Sequence, residues 1–120
     1  MRKVYISFLG TSPYLTCTYW HPDHGKVENV RYVQEATLSM ICRDWTADDR
    51  IFIFTTESAY EKNWLDGGNG KDSETESGEG LKTRIEKLAL NARVERVPIA
   101  DMTSETEMWE IFQKMFDVLE

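Results

Sequence analysis

A short polar turn directly follows the first apolar run of the chain, in the segment FLGTSPY, and contributes Gly10, Thr11, Ser12 and Tyr14. The glycine permits close backbone approach, and the two hydroxyl side chains with their amides can donate to an anionic oxygen. The tyrosine offers a ring for stacking and a phenol. These residue types are typical of a cradle for a phosphate and a base. The alternative is a strand-terminating turn with hydroxyl caps, because one glycine is no GxGxxG fingerprint.

Three more polar side chains lie at the ends of predicted strands and helices: Gln34, Thr55 and Thr56. The two threonines close the apolar run RIFIFTT, so their hydroxyls would face the same rim as the turn if the two strands are neighbours. Gln34, in YVQEA, begins a predicted helix, where its amide can read the edge of an adenine. The alternatives are helix capping by the threonines and a solvated helix position for Gln34.

The sequence contains no set of residues with the spacing of a catalytic or metal centre. It lacks HExxH, a P-loop and a Ser-His-Asp order. His21 and His24 belong to the turn sequence HPDHG and have no third and fourth ligand at a recognisable spacing. Cys17 and Cys42 have no CxxC spacing, and two thiols alone do not distinguish a buried pair from a disulfide, although a reduced protein is expected. We predict neither catalytic residues nor a metal or cofactor.

Composition limits the class of protein. With 120 residues and 41% hydrophobic content, the chain is expected to form a single domain, residues 1–120. Its 14 basic and 21 acidic side chains give a net charge of −7, which argues against duplex nucleic acid as a partner. No stretch approaches the roughly 18 to 20 apolar residues of a membrane span, and the first three residues lead directly into a strand. A cytoplasmic protein with no membrane partner is therefore expected.

Three apolar runs have the composition of buried parallel strands, and they cover residues 3–10, 50–56 and 93–99. A hairpin is predicted after the first of them. Its arms are residues 15–20 and 26–32, and the turn formers of HPDHG lie between the arms.

Helical periodicity predicts three helices between and after these strands. The first extends from Tyr32 to Arg43, with an apolar stripe against the sheet made by Val33, Ala36, Met40 and Ile41. The second buries Leu81, Ile85, Leu88 and Ala92. The third begins at a capping box of Ser104 and Glu107 and buries Met108, Ile111, Phe112, Met115 and Leu119.

Three strand–helix units in succession predict an α/β fold, a Rossmann-like three-layer sandwich with a parallel sheet and a hairpin insertion. The spatial order would place the third strand first, the second in the middle and the first at an edge. The first strand nevertheless has the composition of a strand flanked on both sides, so further strands or a second copy should pair with it. The tract at residues 66–80 holds five of the seven glycines and is predicted to be a flexible, solvated loop.

Four segments occur in an order that is typical of a known family: FLGTSPY, CTYWHPDHGKVENVRYVQEA, IFTTESAYEKNW and SETEMWEIFQKMFDVL. Together they resemble the CRISPR-associated Rossmann-fold (CARF) sensor domains, over nearly the whole chain. The resemblance is to the branch whose members begin with a strand, a Leu-Gly-Thr-x-x-Tyr turn and a hairpin.

The resemblance implies a homodimer that binds a cyclic oligoadenylate second messenger, with cyclic tetra-adenylate favoured, in type III CRISPR antiviral signalling. The expected ligand contacts are Gly10, Thr11, Ser12, Tyr14, Gln34, Thr55 and Thr56. Two alternatives stay open. One is a ring nuclease, because some CARF domains cleave their ligand by aligning a ribose 2′-hydroxyl with the scissile phosphate. The other is a protein-interaction module that binds no nucleotide.

One departure from this branch concerns the second half of the pocket. Members usually continue into a fourth strand that ends in an Asp-x-Thr-His-Gly-like turn, whereas this sequence ends at Glu120 before any such strand. The chain therefore resembles the N-terminal part of a CARF domain. The missing C-terminal half, or an effector domain, is accordingly an expected partner, in agreement with the unpaired first strand.

Overall fold

A parallel sheet and a separate hairpin form the framework of the computed structural model, which describes residues 2–11, 14, 16–67, 79–100 and 105–119. The strands are β1 (Val4–Leu9), β2 (Cys17–His21), β3 (Gly25–Val30), β4 (Arg50–Thr55) and β5 (Arg93–Pro98). The helices are α1 (Val33–Ile41), α2 (Glu57–Ala59), α3 (Leu81–Leu88) and α4 (Glu105–Leu119). A π-helical turn, Tyr60–Trp64, directly follows α2.

The sheet has the order β1-β4-β5, and both neighbouring pairs are parallel. Leu9, Thr55 and Pro98 are aligned at the carboxyl end of the three strands. Strands β2 and β3 pair antiparallel as the inserted hairpin. The α/β class, the hairpin and the edge position of β1 are thus as the sequence predicts, in an incomplete Rossmann-like arrangement.

Helices cover both faces of the sheet. Alternate residues of β4 point to opposite faces, so each face has its own core. Ile51 and Ile53 are fully buried in a core shared with α1 and α3. Phe52 and Phe54 lie in a second core on the other face, where Ile111 of α4 is buried against them. The central strand is therefore covered on both faces, as its continuous apolar run indicates.

The first strand is less covered than its composition predicts. The side chains from Val4 to Ser7 are only half-buried, and Phe8 is 42% exposed. The physical reason is its position, because within the described part of the chain only β4 pairs with it. An apolar strand at an edge keeps one flank open.

The predicted apolar stripe of α1 is wrong in part. Val33 and Ile41 are 50% and 49% exposed, whereas the buried residues of this helix are Gln34, Glu35, Ala36 and Leu38. Gln34 and Glu35 are buried in place of Val33 and Ile41, because each of these two polar side chains has hydrogen-bond partners. The amide of Gln34 donates to the backbone of β1, and the carboxylate of Glu35 accepts hydrogen bonds at the start of the helix.

The other two helices also depart from their predicted faces. Ala92 is buried but lies beyond α3, since the helix ends at Leu88 and Ala89 has a left-handed φ of 52°. In α4, Ile111 is buried and Met115 half-buried, but Phe112 is 48% exposed because it points away from the core around Phe54. Ser104 and the side chains of Glu107, Met108 and Leu119 lie outside the described part of the structure.

The ends of the glycine-rich tract are held together, although residues 68–78, which make up most of the predicted loop at 66–80, lie outside the described residues. Asp66 Oδ1 accepts a hydrogen bond from the backbone N–H of Gly80 at 2.8 Å and one from the hydroxyl of Thr83 at 2.7 Å. These bonds lower the pKa of Asp66, the Gly80 amide more than the Thr83 hydroxyl. The tract thus begins and ends at one point, beside the start of α3.

A buried ion pair joins the hairpin, α1 and α3. Glu35 Oε2 accepts from the backbone N–H groups of Arg31 and Tyr32, at 2.9 and 2.8 Å. Its Oε1 lies 3.3 Å from Nη1 of Arg84, and the same nitrogen donates to the carbonyl of Asn29 at 2.8 Å. The side chains of Glu35 and Arg84 are each 8% exposed. The end of the hairpin and the start of α1 are therefore joined to α3, 49 residues further along the chain, through one ion pair.

Asp49 fixes the amino ends of the three strands of the parallel sheet. Its Oδ1 accepts from the backbone N–H of Lys3 at 2.7 Å, and its Oδ2 from that of Thr46 at 2.8 Å. The carbonyl of Asp49 accepts from the N–H of Arg93 at 3.1 Å. One residue therefore connects the starts of β1, β4 and β5. The hydrogen bond from the Lys3 amide, followed by that from Thr46, holds the pKa of Asp49 below its ordinary value.

Replacing Asp49 with Asn should destabilise the protein in a pH-dependent manner. Because its pKa is lower in the folded state, the carboxylate stabilises the fold above its unfolded pKa of about 3.9, and this contribution is lost as the pH falls through the folded value. Urea unfolding should show a lower midpoint for Asp49→Asn at pH 7, and the difference from the parent should shrink by pH 3. Asp48→Asn is the control. A difference independent of pH would contradict this role.

Candidate functional site

The carboxyl edge of the parallel sheet, here called the rim, collects most of the residues predicted to contact a ligand. Gly10 follows β1, Thr55 ends β4 and Thr56 begins α2. The N–H of Ile99, just after β5, donates to the carbonyl of Thr55, so the ends of β4 and β5 are tied together. In parallel α/β sheets this edge is where ligands bind.

The turn after β1 is built around Gly10. A Cβ atom at this position would overlap with the phenol oxygen of Tyr14, so the tyrosine packs directly on the glycine backbone. The ring of Tyr14 meets that of Tyr32 edge-on, with centroids 5.6 Å apart and an interplanar angle of 71°. Thr11 is exposed beside this contact. A larger residue at position 10 would therefore require Tyr14 to move, while Ser12 lies outside the described residues.

Asn63 holds the turn from the opposite side. It is fully buried in the π-helical turn, and its Nδ2 donates to the carbonyl of Gly10 at 2.7 Å. The partner of Asn63 is 53 residues away, so no local pattern indicates this contact. The one available signal is that Asn63 directly precedes the apolar pair Trp64 and Leu65, since a buried amide requires partners.

The hydroxyl of Thr55 is engaged by a cation that the sequence analysis did not single out. Arg96 Nη1 donates to Thr55 Oγ1 at 3.1 Å, and the guanidinium lies 4.1 Å from the ring centroid of Tyr60. Thr55 is 1% exposed. It therefore orients the arginine, and a ligand at the rim would meet the arginine more readily than the threonine.

The other two predicted contacts have structural partners. Thr56 is the N-cap of α2, and its hydroxyl accepts from the N–H of Ala59 at 3.2 Å. Gln34 is 4% exposed, and its Nε2 donates to the carbonyl of Phe8 at 3.1 Å and to Ser7 Oγ at 3.2 Å. Gln34 thus fixes the start of α1 against the end of β1. Both side chains shape the rim, whichever groups a ligand contacts.

The residues that invited a metal or thiol hypothesis lie elsewhere. The rings of His21 and His24 are 4.7 Å apart, and His21 Nδ1 accepts the N–H of Asp23. Across the described ranges, no group of three or more His, Cys, Asp or Glu residues could hold a metal ion. Both cysteines are free, and burial raises the pKa of the Cys42 thiol to about 11, which suits a small core residue.

A small open cavity lies away from these predicted contacts. Its volume is about 140 Å³, and it is lined by Trp64, Lys82, Ile85, Glu86 and Val94. None of the residues predicted to bind a ligand lines it. Its size and its mainly apolar walls suit a single side chain better than a nucleotide.

The rim offers a particular chemistry. Thr11 is exposed next to Gly10, the half-buried ring of Tyr14 covers that glycine, and Arg96 supplies a positive charge two strands away. Such a set can bind phosphate oxygens through a hydroxyl and a guanidinium and can contact a base through Tyr14. In the described part of the chain, no helix is long and apolar enough to cross a membrane.

Comparison with known proteins adds no assignment. No protein-family model matches the chain, and no curated protein is detectably similar to it.

Gly10 and Tyr14 should be energetically coupled. Gly10→Ala alone should lower the free energy of unfolding, because the added methyl must displace the phenol oxygen of Tyr14. In a Tyr14→Phe background the same change should cost much less, since the ring carbon Cζ lies 3.6 Å from the Cβ position, an ordinary contact. A double-mutant cycle of urea unfolding measures the coupling. Additive effects would show that the phenol oxygen does not pack on the glycine.

Proposed function

We propose that this protein is the sensor domain of a type III CRISPR antiviral system and binds a cyclic oligoadenylate, with cyclic tetra-adenylate favoured. It acts in the cytoplasm as a homodimer that binds its ligand without cleaving it. The proposal rests on the resemblance of the four ordered segments to CARF domains. It is supported by a rim at the carboxyl ends of parallel strands, where such a ligand is expected to bind.

The observation that carries the proposal is the way Gly10 and Tyr14 are held after β1. Its carbonyl is fixed by buried Asn63, and the Tyr14 ring covers Gly10 while itself packing on buried Tyr32. Residues that are already held in place lose little conformational freedom when a ligand binds, which favours affinity. The contacts of Gly10 and Tyr14 therefore support a binding role for this part of the rim.

An acidic protein and an anionic ligand are compatible in this arrangement. The net charge of −7 repels a polyphosphate at long range. Backbone N–H and hydroxyl groups nevertheless bind phosphate oxygens at short range, as they do in phosphate-binding nests. In a two-fold dimer, one turn from each subunit would place such donors symmetrically around a cyclic ligand.

Removing the hydroxyls of the turn should weaken ligand binding without unfolding the protein. Thr11→Ala combined with Ser12→Ala removes hydrogen bonds to charged oxygens, each worth about 1.5–3 kcal/mol, so the Kd for cyclic tetra-adenylate should rise at least tenfold. Titration calorimetry measures the Kd, and circular dichroism checks the fold. Thr18→Ala, at an exposed threonine of β2, is the matched control. Equal affinity of parent and double mutant would remove the main support for the proposal.

A second candidate function is a protein-interaction module that binds no nucleotide. The observation that favours it is the open flank of β1, whose six residues include no charge and no proline to discourage strand pairing. Helix α4, which packs on one face of the sheet, also carries three large exposed side chains: Trp109 (67%), Phe112 (48%) and Phe116 (62%). Binding of neither cyclic tetra-adenylate nor cyclic hexa-adenylate by a folded dimer would favour this function.

Self-association that covers β1 and Phe8, with the two rims side by side, should be sensitive to charge. The parent protein should sediment as a dimer at high micromolar concentration, because association covers the exposed part of Phe8. Phe8→Lys should shift the protein toward monomer, whereas Thr18→Lys, on an exposed position of the hairpin, should not. Thermal unfolding confirms that Phe8→Lys is folded, since this side chain also packs on Phe54 with centroids 5.1 Å apart. A monomeric parent would refute the dimer.

A further inference from the structure

Arg96 is the cation of the rim, and its surroundings differ from those of Arg84 and Arg50, which form ion pairs. Arg84 lies against the carboxylates of Glu35 and Glu79, and Arg50 lies 3.4 Å from Glu95. Among the described residues, no carboxylate lies within ion-pairing distance of Arg96. In a chain with 21 acidic side chains, this half-buried guanidinium is held by neutral neighbours.

The two neutral neighbours hold the guanidinium in a fixed orientation. The ring of Tyr60 lies under it, 4.1 Å from the centroid to the guanidinium carbon, and the hydroxyl of buried Thr55 accepts from Nη1 at 3.1 Å. An arginine has five N–H donors in a planar fork, and the observed hydrogen bond engages one of them. Cation–π stacking leaves the in-plane donors available to an acceptor with two oxygens.

The position of Arg96 suits a ligand that extends along the rim. Its hydrogen bond reaches from β5 to the last residue of β4, so the charge lies near the carboxyl edge of the sheet. Neighbouring strands are about 4.8 Å apart, which places the end of β5 about 10 Å from the turn at Gly10. A ligand with several phosphates can span that distance, whereas a single inorganic ion cannot.

We propose that Arg96 is an anion-binding residue, which takes a phosphate group of the nucleotide through its planar fork while Tyr60 and Thr55 fix its orientation. This inference deepens the proposed function and rests on it for the identity of the nucleotide. The competing role is purely structural, in which the arginine only packs between β5 and the π-helical turn. The two roles predict different affinities for the nucleotide in a folded variant that lacks the guanidinium. The anion-binding role predicts weaker binding, and the structural role predicts unchanged binding.

The experiment compares Arg96→Gln with Arg93→Gln, an exposed arginine three residues earlier on the same strand. Cyclic tetra-adenylate affinity should fall about tenfold or more for Arg96→Gln, and the slope of log K against log salt should decrease by about 0.7–1, as expected for one lost phosphate contact. Arg93→Gln should change the affinity less than twofold. Arg96→Lys should restore only part of the loss, because an ammonium has no bidentate fork. Circular dichroism and thermal unfolding should show a folded Arg96→Gln.

A second measurement is independent of the nucleotide. In nitrogen–proton correlation spectra of the parent protein, the Nε–Hε signal of Arg96, identified by its loss in Arg96→Gln, should shift on addition of inorganic pyrophosphate. The corresponding signal of Arg93 should not. Tyr60→Leu should reduce the shift while keeping the charge, because it removes the support of the guanidinium.

The outcomes separate the inference from the proposed function. If the parent binds cyclic tetra-adenylate and Arg96→Gln binds it equally well with an unchanged salt slope, the inference is overturned and the proposed function stands. If the parent binds no cyclic oligoadenylate but pyrophosphate shifts the Arg96 signal, the proposed function fails and the anion site stands. If neither the nucleotide nor pyrophosphate affects Arg96, the residue is structural and the inference is wrong.

Discussion

The geometry of the rim depends on the hydrogen bonds and the ion pair of the buried Glu35 carboxylate. It accepts a hydrogen bond from the backbone N–H of Tyr32 and so fixes the start of α1. Tyr32 in turn packs on Tyr14, and Tyr14 packs on Gly10. The turn at the end of β1 is thereby positioned by a charge that makes no direct contact with it.

Because Glu35 forms an ion pair with Arg84, the arrangement is sensitive to the loss of either side chain. Both side chains are almost fully buried, and removing one partner of such a pair typically costs about 3–5 kcal/mol, because the remaining charge is left without compensation. Arg84 also binds the carbonyl of Asn29, whose backbone adopts a left-handed φ of 58° at the end of the hairpin. The hairpin is therefore attached to the helical layer, which explains how an insertion between β1 and α1 can leave the rim ordered.

The parts that sequence reasoning predicts correctly are those determined by local pattern. The continuous apolar run of β4 predicts a central strand, and the turn formers between Trp20 and Lys26 predict the hairpin. The face of α1 is predicted incorrectly because apolar periodicity assigns polar residues to the surface. Gln34 and Glu35 are buried through bonds to β1 and Arg84, and no local pattern reports such partners.

The same limit applies to the candidate site. Gly10 and Thr55 are recognisable because they follow apolar runs directly, so chain order alone places them at strand ends. Asn63 and Arg96 act through contacts that span 53 and 41 residues, and their roles follow only from the packing of the π-helical turn against β1 and β5. Long-range hydrogen bonds of single polar side chains are the information that one sequence does not display.

The hydrogen bonds of Asp66 to Gly80 and Thr83 have a consequence for how the chain can vary. Because they bring the two ends of the glycine-rich tract together, the sheet and α3 are independent of the length of chain between them. In general, doubling the length of chain between two fixed ends costs only about 0.6 kcal/mol of closure entropy, which is small against the stability of a domain. A change in the number of residues between Gly67 and Glu79 should therefore leave the sheet and α3 with the same geometry.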